Sequence, residues 1–455
     1  MKIAVLLKIF RGEINLFDGA ALECALESGA EVTVVSMAPT SALPVMENLT
    51  RLGVRAVLIS DPLYAGSDTQ ATSCVLAEAL RQLSPDLVFA GRQSIDGDTG
   101  QVPPMLAERL GIDIISGVME FNQGALKTRS GRCASPKSSA IITFERIRTL
   151  RFPSIFSKKG SVEVWDNSTL GLDPKKCGAV GSPTKVVRSY ESSVGKRSCR
   201  FASVSELGKL IKDGLEKKRE SVIEDDSKKT EKIYYIGDIK DIAERYAESA
   251  VRFEAHGKTP KEVADELKAL GAEVVLFESC DEYRELAARV AVICGAGICA
   301  DCISFRREGE KFIMTRPALG GNVTADIVSS SNMSFATVRN AKSAEGDIIF
   351  SVGRGAIGYI EEIRALAEKY GATLAGSRVL TDNGMMPYKD QVGLTGKTVS
   401  PKVYVAFGIS GAVQHTSAIS GAGTIIAINT DKNARIFDYS DYGIVEDIKN
   451  LFEEK

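Results

Sequence analysis

The chain has 455 residues, which favours about three domains because a domain usually holds about 100 to 200 residues. Its 57 Lys and Arg residues nearly balance 59 Asp and Glu residues. The resulting net charge of −2 excludes the extended positive field of a general nucleic-acid binder. Apolar residues make up 44% of the chain and charged residues 25%, which is typical of a globular protein rather than of a disordered or fibrous one.

The cysteines, the histidines and the lengths of the apolar runs restrict the environment and the chemistry of the protein. Nine irregularly spaced cysteines fit a reducing compartment better than a disulfide framework. With only His256 and His415 present, a metal site that needs several histidines is excluded. The N-terminus lacks a signal-peptide cleavage site, and no apolar run reaches the roughly 18 residues of a membrane span. We therefore expect a cytoplasmic protein without a membrane span.

Short apolar runs alternate with helical patterns in the first part of the chain. Strands are predicted at 3–7, 31–37, 56–60 and 86–91, and helices near 19–28, 43–52 and 70–83. This order predicts a doubly wound α/β domain, in which helices cover both faces of a parallel sheet. Between 119 and 185 the pattern becomes irregular and rich in short strands.

A change in composition between 216 and 232, where most residues are charged with both signs mixed, predicts a module boundary. The alternation then restarts, and a third unit begins at about 333. Strands are predicted at 232–237, 273–279, 347–352, 372–377, 402–408 and 424–429, with helices near 259–269 and 282–293. Segments 85–111 and 271–295 share the order strand, loop, helix, which indicates an internal duplication. Only the first copy has a glycine-bearing loop, so we expect a ligand in the first copy and not in the second.

Gly353, Gly355 and Gly358 form a G-x-G-x-x-G pattern between a predicted strand and a predicted helix. In this context, glycines let backbone N–H groups and a helix N-terminus approach a pyrophosphate. The acidic residue that usually binds ribose is missing, because Ser377 and Arg378 occupy the end of the next strand. A plain nicotinamide Rossmann site is therefore disfavoured.

The strings QVGLTGKTVSPK (391–402) and GISGAVQH (408–415) bring hydroxyl, amide and imidazole groups to two strand-to-helix turns of one sheet. Ordinary tight turns with a surface histidine are the alternative. Together with their flanks, from 377 to 431 and from 441 to 448, these strings resemble the FAD domain of the electron transfer flavoprotein alpha subunit. The block RPALGGNVTADIVSSSNMSFATVR (316–339) resembles the segment that precedes this domain.

The string DLVFAGRQSIDGDTGQVPPMLAERLG (86–111), with 153–155 and 181–187, resembles the beta subunit of the same family. The chain therefore resembles a fusion of a beta subunit at its N-terminus with an alpha subunit at its C-terminus. The resemblance implies an α/β fold of doubly wound parallel sheets, with two nucleotide-binding-like domains and a Rossmann-like FAD domain. The expected parts are a beta-like domain at 1–190, an arm and charged linker at 191–231, a shortened alpha-like domain at 232–332 and an FAD-binding domain at 333–455.

The resemblance implies that the C-terminal domain binds FAD. Arg354 would bind the pyrophosphate, Thr395 would lie near flavin N5, and His415 would face the flavin O2 edge. Donors near this edge stabilise the negative charge of a reduced flavin. The family's usual QVGQTG is QVGLTG here. Leu394 therefore cannot make the polar contact that the family's glutamine is expected to make, and the sequence does not determine the reduction potential of the flavin. The FAD contacts that the resemblance implies are Arg354, Ser377, Arg378, Gln391, Val392, Gly393, Thr395, Ser410, Gly411, Ala412, Val413, Gln414 and His415, with Asn429 and Asp447 at the adenosine.

The loop GRQSIDGDTGQV (91–102) implies a second nucleotide, because ordinary family members hold AMP there and electron-bifurcating members hold a second FAD. The sequence IDGDTGQV is closer to that of the electron-bifurcating members. Asp96 and Asp98 are expected to cap the following helix or to contact ribose. A capped helix start without a ligand is the alternative. The residues expected around this nucleotide are Gly91, Gln93, Asp96, Gly97, Asp98, Thr99, Gly100, Gln101 and Val102.

Cys294, Cys299 and Cys302 have the C-x4-C-x2-C spacing of plant-type 2Fe–2S ligands. The run around them is apolar, so small buried thiols are the favoured interpretation and no metal is expected. The cofactors predicted from the sequence are therefore FAD and either AMP or a second FAD.

The resemblance implies an electron carrier rather than an enzyme that converts a substrate of its own. FAD would accept electrons from an acyl-CoA-type or other dehydrogenase and pass them to a quinone oxidoreductase or a ferredoxin-type acceptor. Two alternatives stay open: an NADH-dependent electron-bifurcating flavoprotein with a second FAD at 91–102, and a nucleotide-binding regulatory module. The sequence leaves the donor, the acceptor, the flavin potentials and the oligomeric state open.

Overall fold

The computed structural model describes residues 1–94, 96–122, 125–129, 131–136, 139–191, 196–217, 229–318, 323–338, 346–393 and 396–453. They form two compact units. The larger unit consists of the described residues within 1–189, 227–319 and 325–338, and the smaller unit of those within 190–226, 320–324 and 339–455. Both contain parallel sheets with helices, so the predicted α/β class is confirmed. In the described ranges, no helix has the length and apolar character needed to cross a membrane.

The first sheet of the larger unit has nine strands among the described residues. Alternate side chains of its first strand enter different cores: Ile3 and Val5 pack on one face, and Ala4 and Leu6 on the other. Burial on both faces explains why the parallel strands are apolar runs. The spatial order is Val162–Trp165, Arg55–Ile59, Glu31–Met37, Lys2–Leu6, Leu87–Gly91, Ala140–Phe144 and Asp113–Asn122, all parallel, followed by the antiparallel strands Ala125–Thr128 and Cys133–Ala134.

Side-chain caps mark the start of two longer helices of the larger unit. The Asp68 side chain accepts the Ala71 N–H at the start of Thr69–Leu83, and that helix ends at Ser84 in the left-handed conformation. Thr259 and Glu262 form a reciprocal capping box at the start of another helix. The helices are Leu16–Glu27, Leu43–Thr50, Thr69–Leu83, Val102–Leu110, Asn167–Leu170, Lys240–Tyr246, Pro260–Ala269 and Asp281–Cys294, with short 3-10 turns at Thr40–Ala42, Pro62–Tyr64 and Pro174–Lys176.

A second parallel sheet of the larger unit follows the order Ala247–Arg252, Thr230–Ile236, Val274–Glu278, Ser334–Val338, Gly297–Cys302. The expected domain boundary at 333 falls just before the strand Ser334–Val338, which pairs within this sheet rather than with the C-terminal residues. Two smaller sheets have the orders Thr184–Glu191, Val323–Ser329, Lys311–Ala318, Ser304–Glu308 and Ile9–Phe10, Glu13–Ile14.

The two segments of the expected duplication have the same fold and pack together. Each is a strand followed by a helix: Leu87–Gly91 with Val102–Leu110, and Val274–Glu278 with Asp281–Cys294. The two helices contact each other, and Arg289 Nε lies 2.9 Å from Glu108 Oε2 across the contact. Met105 of the first helix is part of the core beneath the second. The two copies therefore share one hydrophobic interface.

The smaller unit contains a six-stranded parallel sheet among its described residues. Its order is Arg200–Phe201, Tyr442–Ile444, Thr424–Ile428, Val403–Phe407, Ile348–Val352 and Thr373–Gly376. The three five-residue strands at the centre are mainly apolar and fully buried, because helices and loops cover both faces. The α-helices of this unit are Leu207–Glu216, Ile360–Tyr370, Arg378–Asp382, Val413–Thr416 and Asn450–Glu453, and its 3-10 helices are Val204–Glu206, Arg354–Tyr359, Tyr388–Asp390 and Arg435–Tyr439.

The expected arm and linker at 191–231 is packed against this sheet over its described residues 196–217. Arg200–Phe201 adds an edge strand beside Tyr442–Ile444. Helix Leu207–Glu216 then buries its apolar side on the sheet. A Cβ on Gly214 would lie 2.8 Å from Val403 Cγ2, so glycine allows the helix to approach the sheet closely.

Candidate functional site

The sheet of the smaller unit reverses its winding between two central strands. From Ile348–Val352 the chain moves to Thr373–Gly376 on one side and later to Val403–Phe407 on the other. Ligands of open parallel sheets bind outside the carboxyl ends of the strands at such a switch point. The turns after these three strands hold, in order, Arg354, then Ser377 and Arg378, then the run 408–415.

The G-x-G-x-x-G glycines join two of these turns. The Gly353 N–H donates to the Phe407 carbonyl at 2.7 Å, and the Gly355 N–H donates to the Gly408 carbonyl at 3.0 Å. A Cβ on Gly353 would overlap the Gly408 carbonyl, whereas one on Gly358 would meet nothing within 4 Å. The expectation that these N–H groups approach a pyrophosphate was therefore wrong for the first two glycines, because both N–H groups already bind backbone carbonyls.

His415 is buried beside the next turn and is held by two elements. Its Nε2 lies 2.8 Å from the hydroxyl of Tyr404 on strand Val403–Phe407. Burial lowers the pKa of His415 to about 4, against the opposite effect of a hydrogen bond with the Val392 backbone. The imidazole is therefore neutral near pH 7. The alternative of a surface histidine was wrong, since only 7% of His415 is exposed.

Residues 391–393 extend the same edge of the sheet. The Val392 N–H donates to the Gly376 carbonyl at 2.9 Å, and the Gly393 N–H donates to the Lys397 carbonyl at 3.1 Å. Gln391 is fully buried, and its Oε1 accepts the Thr381 hydroxyl at 3.0 Å. Thr395 and Leu394 lie outside the described residues.

The remaining expected contacts follow other strands of this sheet. Asn429 follows Thr424–Ile428, and its Nδ2 donates to the Ile409 carbonyl at 3.0 Å. Asp447 lies just beyond Tyr442–Ile444. Gly411 has φ +84°, and a Cβ there would overlap the Ile436 backbone. The structure therefore brings to the carboxyl edge of one sheet Arg354, Ser377, Arg378, Gln391, Val392, Gly393, Ser410, Gly411, Ala412, Val413, Gln414, His415, Asn429 and Asp447.

Two hydroxyl groups near this edge have no hydrogen-bond partner within the described ranges. Ser377 Oγ and Ser417 Oγ are both buried. Native proteins rarely leave buried polar atoms unpaired, so these hydroxyls point to a polar ligand. Hydroxyl, amide and guanidinium groups together suit a flavin ring and a diphosphate, and the residues present therefore fit FAD.

The larger unit contains a cavity of about 930 Å³. It lies outside the carboxyl ends of Lys2–Leu6, Glu31–Met37, Arg55–Ile59 and Leu87–Gly91, where the winding of the nine-stranded sheet reverses. Residues that follow the second copy in the chain, including Ile298 on strand Gly297–Cys302 and Arg316 on strand Lys311–Ala318, close its other side. The residues of the predicted nucleotide loop that line this cavity are Gly91, Gln93, Asp96, Gly97, Thr99, Gly100, Gln101 and Val102.

Several polar groups on the cavity wall lack a partner in the described part of the chain. Gln101 Nε2, Arg316 Nε and Asp96 Oδ1 are buried and make no hydrogen bond. Gln101 is oriented by the Thr69 hydroxyl, which lies 3.0 Å from Gln101 Oε1. Burial opposes ionisation of Asp96, but the Lys8 ammonium 3.4 Å away and hydrogen bonds with Ser94 and the Gly97 backbone together outweigh it, so the pKa of Asp96 is lowered. Unpaired donors and an anionic acceptor around one cavity match the polar edges of a nucleotide.

Asp98 has a different position from the one expected. It adopts φ +51°, and its carboxylate accepts Gln93 Nε2 at 2.6 Å on the side away from the large cavity. The following helix begins at Val102, and its N-cap residue Gln101 makes no side-chain cap. The expectation that Asp96 or Asp98 caps this helix was therefore wrong, and the helix start does not explain the acidic residues.

Asp18 is a buried acid on the same cavity wall that the sequence did not single out. Its carboxylate accepts the Lys8 N–H at 2.7 Å and the Gly91 N–H at 2.9 Å. Burial raises the pKa of Asp18 to about 7, although these hydrogen bonds oppose the shift. Arg316, also not named for the nucleotide, contacts the Asp98 carbonyl at 3.1 Å. The only sequence signal for Arg316 was its place in the block at 316–339.

The corresponding position in the second copy is filled by a side chain. The winding of the five-stranded sheet reverses between Thr230–Ile236 and Val274–Glu278. Glu278 Oε2 accepts the Asp238 N–H there at 2.8 Å. A Cβ on Gly237 would lie 2.5 Å from Glu278 Cβ, so the two turns are in close contact. This glutamate occupies the place that a ligand would need.

Of the three cysteines with cluster-like spacing, Cys299 and Cys302 contact each other, but Cys294 packs in a different core. Cys294 packs against the core of the second copy's helices, whereas Cys299 and Cys302 are buried in a separate core on strand Gly297–Cys302. Within the described residues, no group of three or more His, Cys, Asp or Glu side chains is arranged to hold a metal ion. The spacing is therefore explained by packing.

Two family profiles match parts of the chain that include the two sites. A family profile described as the electron transfer flavoprotein FAD-binding domain matches residues 343–420. A profile described as the electron transfer flavoprotein domain matches residues 6–138 and 246–358, which together make up more than half of the chain. The chain belongs to the electron transfer flavoprotein family. Because the same profile matches both parts, it also supports the internal duplication.

Curated relatives of this electron transfer flavoprotein include proteins named for each subunit. Subunit alpha of Thermoanaerobacterium thermosaccharolyticum is 35% identical over 43% of this chain and 72% of its own length. Subunit beta of Clostridium acetobutylicum is 36% identical over 40% of this chain and 76% of its own length. The acryloyl-CoA reductase electron transfer subunit beta of Anaerotignum propionicum is 31% identical over 39% of this chain and 68% of its own length. The predicted fusion of beta-like and alpha-like parts is thereby confirmed.

The function of this electron transfer flavoprotein depends on FAD, which accepts and releases electrons when bound. The chain's own contribution is to position the cofactor and to set the charge around it. Neutral His415, the unpaired Ser377 hydroxyl and the Arg378 guanidinium lie at the same sheet edge. They are the groups at this edge that would orient a flavin and bind its polar atoms.

Proposed function

We propose that this electron transfer flavoprotein binds a second FAD in the cavity of the larger unit, in addition to the FAD of the smaller unit. The cavity volume carries the proposal, because about 930 Å³ is near the upper end of the range of about 300–1,000 Å³ for ligand cavities. FAD consists of AMP joined to a flavin mononucleotide, so AMP alone would leave much of the cavity unfilled. A second flavin favours NADH-dependent electron bifurcation over a carrier with a single flavin.

The polar groups of the cavity support a dinucleotide with a diphosphate. Arg316 is 5% exposed with an unpaired Nε, and Lys8 contributes a second cation at the strand end. Buried guanidinium groups usually bind an anion or an electron-rich edge, since an unpaired buried charge is costly. The unpaired Gln101 amide donates to a carbonyl oxygen or a ring nitrogen of the ligand.

We assign the FAD of the smaller unit to the carboxyl edge of the six-stranded sheet. Arg354 is exposed at the first turn, where a guanidinium would bind the pyrophosphate. The Ser377 hydroxyl and Arg378 would contact the flavin, and residues 410–414 the diphosphate and ribityl chain. His415 would face the flavin O2 edge, and Asn429 with Asp447 would bind adenosine. For Thr395, a position near flavin N5 is proposed from the family resemblance alone.

We infer that the protein exchanges electrons with an acyl-CoA-type or other dehydrogenase and with a quinone oxidoreductase or a ferredoxin-type protein. With a single flavin the dehydrogenase is the electron donor, whereas with two flavins NADH is the donor. One relative is named as an electron transfer subunit of acryloyl-CoA reductase. Three large apolar side chains of the larger unit support a docking surface for the dehydrogenase: Phe152, Ile155 and Phe156 are 94%, 85% and 86% exposed. Apolar groups exposed this close together are typical of protein contacts. The nine cysteines, all without disulfides, fit the proposed cytoplasmic location.

Counting the nucleotides bound per chain tests the second flavin. The protein would be purified with its native cofactors and denatured, and the released FAD and AMP would be quantified by chromatography. Two FAD per chain, with NADH reducing one of them, is the expected result. One FAD and one AMP per chain would instead indicate a carrier with a single flavin. Adenosine nucleotide without any flavin would indicate the regulatory module.

A further inference from the structure

We propose that Tyr404 is a positioning residue that holds His415 as a neutral imidazole whose Nε2 carries no proton. The two rings form a buried pair: Tyr404 is fully buried on strand Val403–Phe407, and its hydroxyl lies 2.8 Å from His415 Nε2. The proposal rests on the proposed function only where it places His415 beside the flavin. The hydrogen bond between Tyr404 and His415 does not depend on that placement.

The direction of this hydrogen bond follows from the other contacts of the two rings. Burial raises the pKa of the Tyr404 phenol, so its hydroxyl keeps its proton and has one to donate. His415 also forms a hydrogen bond with the Val392 backbone, which stabilises the protonated ring. The Val392 carbonyl only accepts, so the ring nitrogen that faces it carries a proton. A neutral ring has one N–H, which leaves Nε2 as the acceptor for Tyr404.

The opposite direction would require a charged ring. If Nε2 donated to Tyr404 while the other nitrogen donated to Val392, both nitrogens would carry protons and His415 would be an imidazolium. Burial disfavours that charge, and within the described part of the chain no side-chain carboxylate forms a hydrogen bond with the ring. The pair Tyr404 and Val392 therefore fixes both the tautomer and the orientation of His415.

This arrangement affects the flavin site through the charge of His415. A neutral imidazole offsets less of the negative charge of a reduced flavin than an imidazolium would. Among the expected flavin contacts, a permanent cation is then supplied by Arg378, whose side chain is 27% exposed and pairs with Asp382. Burial and the Tyr404 hydroxyl together thus keep the reduction potential of the bound flavin lower than it would be beside a protonated histidine.

Nitrogen NMR of the histidine rings tests the proposal directly, because the chain contains only two histidines. The full chain with oxidised FAD bound would be labelled with 15N-histidine, and His256→Gln would assign the remaining signals to His415. We expect an unprotonated Nε2 and a protonated Nδ1 throughout pH 5.5–8. A protonated Nε2, or a doubly protonated ring, in the wild-type chain overturns the proposal without the need for any Tyr404 variant.

The variant Tyr404→Phe removes the donor and keeps the ring volume. Nε2 then loses the bond that favours its unprotonated form, so we expect the pKa of His415 to rise by about one pH unit. Tyr235→Phe is the matched control, because Tyr235 is a buried tyrosine of the other unit. An unchanged His415 titration in a folded Tyr404→Phe chain overturns the role of Tyr404.

The flavin potential separates this proposal from the proposed function. If His415 faces the flavin, the midpoint potential at pH 5.5 rises in Tyr404→Phe and not in Tyr235→Phe. If the His415 titration shifts while the potential stays constant, Tyr404 has its proposed role and the placement of His415 beside the flavin is wrong. If neither quantity changes, the proposal for Tyr404 fails whatever the position of the flavin.

Discussion

The Asp18 carboxylate accepts the backbone N–H of Gly91 at 2.9 Å and so ties the first helix of the larger unit to the strand end beside its cavity. The same carboxylate accepts the Lys8 N–H, which lies at the end of the neighbouring strand. A Cβ on Gly91 would overlap Asp18 Oδ1, so the contact requires glycine at this position. One buried acid therefore joins three segments at the cavity wall.

The first prediction concerns the pH dependence of stability in Asp18→Asn. Burial raises the pKa of Asp18 to about 7, whereas the unfolded chain releases this proton near pH 4. The folded state therefore binds more protons than the unfolded state between these values, and its stability falls as the pH rises through this window. Asparagine does not titrate, so the variant should lack the part of this loss that falls above pH 5.5, which is about 2 kcal/mol. Urea unfolding at pH 5.5 and 8.5 measures the free energy of unfolding of both proteins. The same change with pH in the variant and the wild type would contradict the prediction.

The second prediction compares two glycines of one motif. Gly353→Ala places a methyl group against the Gly408 carbonyl, so we expect about 2–3 kcal/mol of destabilisation and loss of FAD from the smaller unit. Gly358→Ala meets nothing within 4 Å and should retain both stability and FAD. Thermal unfolding and flavin absorbance provide the measurements. Equal effects of the two substitutions would show that the contact between the turns is unimportant.

The third prediction concerns the larger cavity. Gln101→Leu removes the unpaired Nε2 donor, and we expect the affinity for the second nucleotide to fall about tenfold or more. The FAD of the smaller unit should remain. Gln82→Leu, on the exposed side of helix Thr69–Leu83, is the control. Nucleotide content after dialysis is the measurement, and loss of the nucleotide from both variants alike would argue against a specific contact.

The fourth prediction tests the exposed apolar segment as the docking surface. Phe156→Ser should slow the reduction of bound FAD by an acyl-CoA dehydrogenase and its substrate about tenfold, since it removes a large exposed apolar contact. Stability and flavin content should not change. Val180→Ser removes another exposed apolar side chain, which is 77% exposed, and serves as the control. Stopped-flow reduction of the flavin measures the rate, and equal rates in both variants would exclude this surface.

The sequence predicted the strands well because each central strand is a local apolar run, as in Ile348–Val352 and Val403–Phe407. It also placed the expected ligand contacts at strand ends, because parallel strands present their carboxyl ends at one edge. Both predictions need only neighbouring residues. They succeeded wherever the local pattern and the tertiary environment agree.

The failures have a common physical origin in contacts between distant residues. The role of Gly353 depends on Gly408, and the burial of Asp18 depends on Gly91. Neither relationship leaves a periodic signal in the sequence. Asp98 was expected to cap the helix or to contact ribose, because acidic residues before a helix often have a capping role, but it adopts a positive φ and its carboxylate binds Gln93 instead.

The pairing of helix Val102–Leu110 with helix Asp281–Cys294 has a consequence for how the protein behaves in dilute solution. If the beta-like and alpha-like parts that carry these helices were separate subunits, less of the protein would be associated as its concentration fell. Here both helices belong to one polypeptide, so their encounter is intramolecular and has an effective concentration set by the connecting chain. Simple dilution therefore does not separate the halves, and one gene product always supplies them in equal amounts.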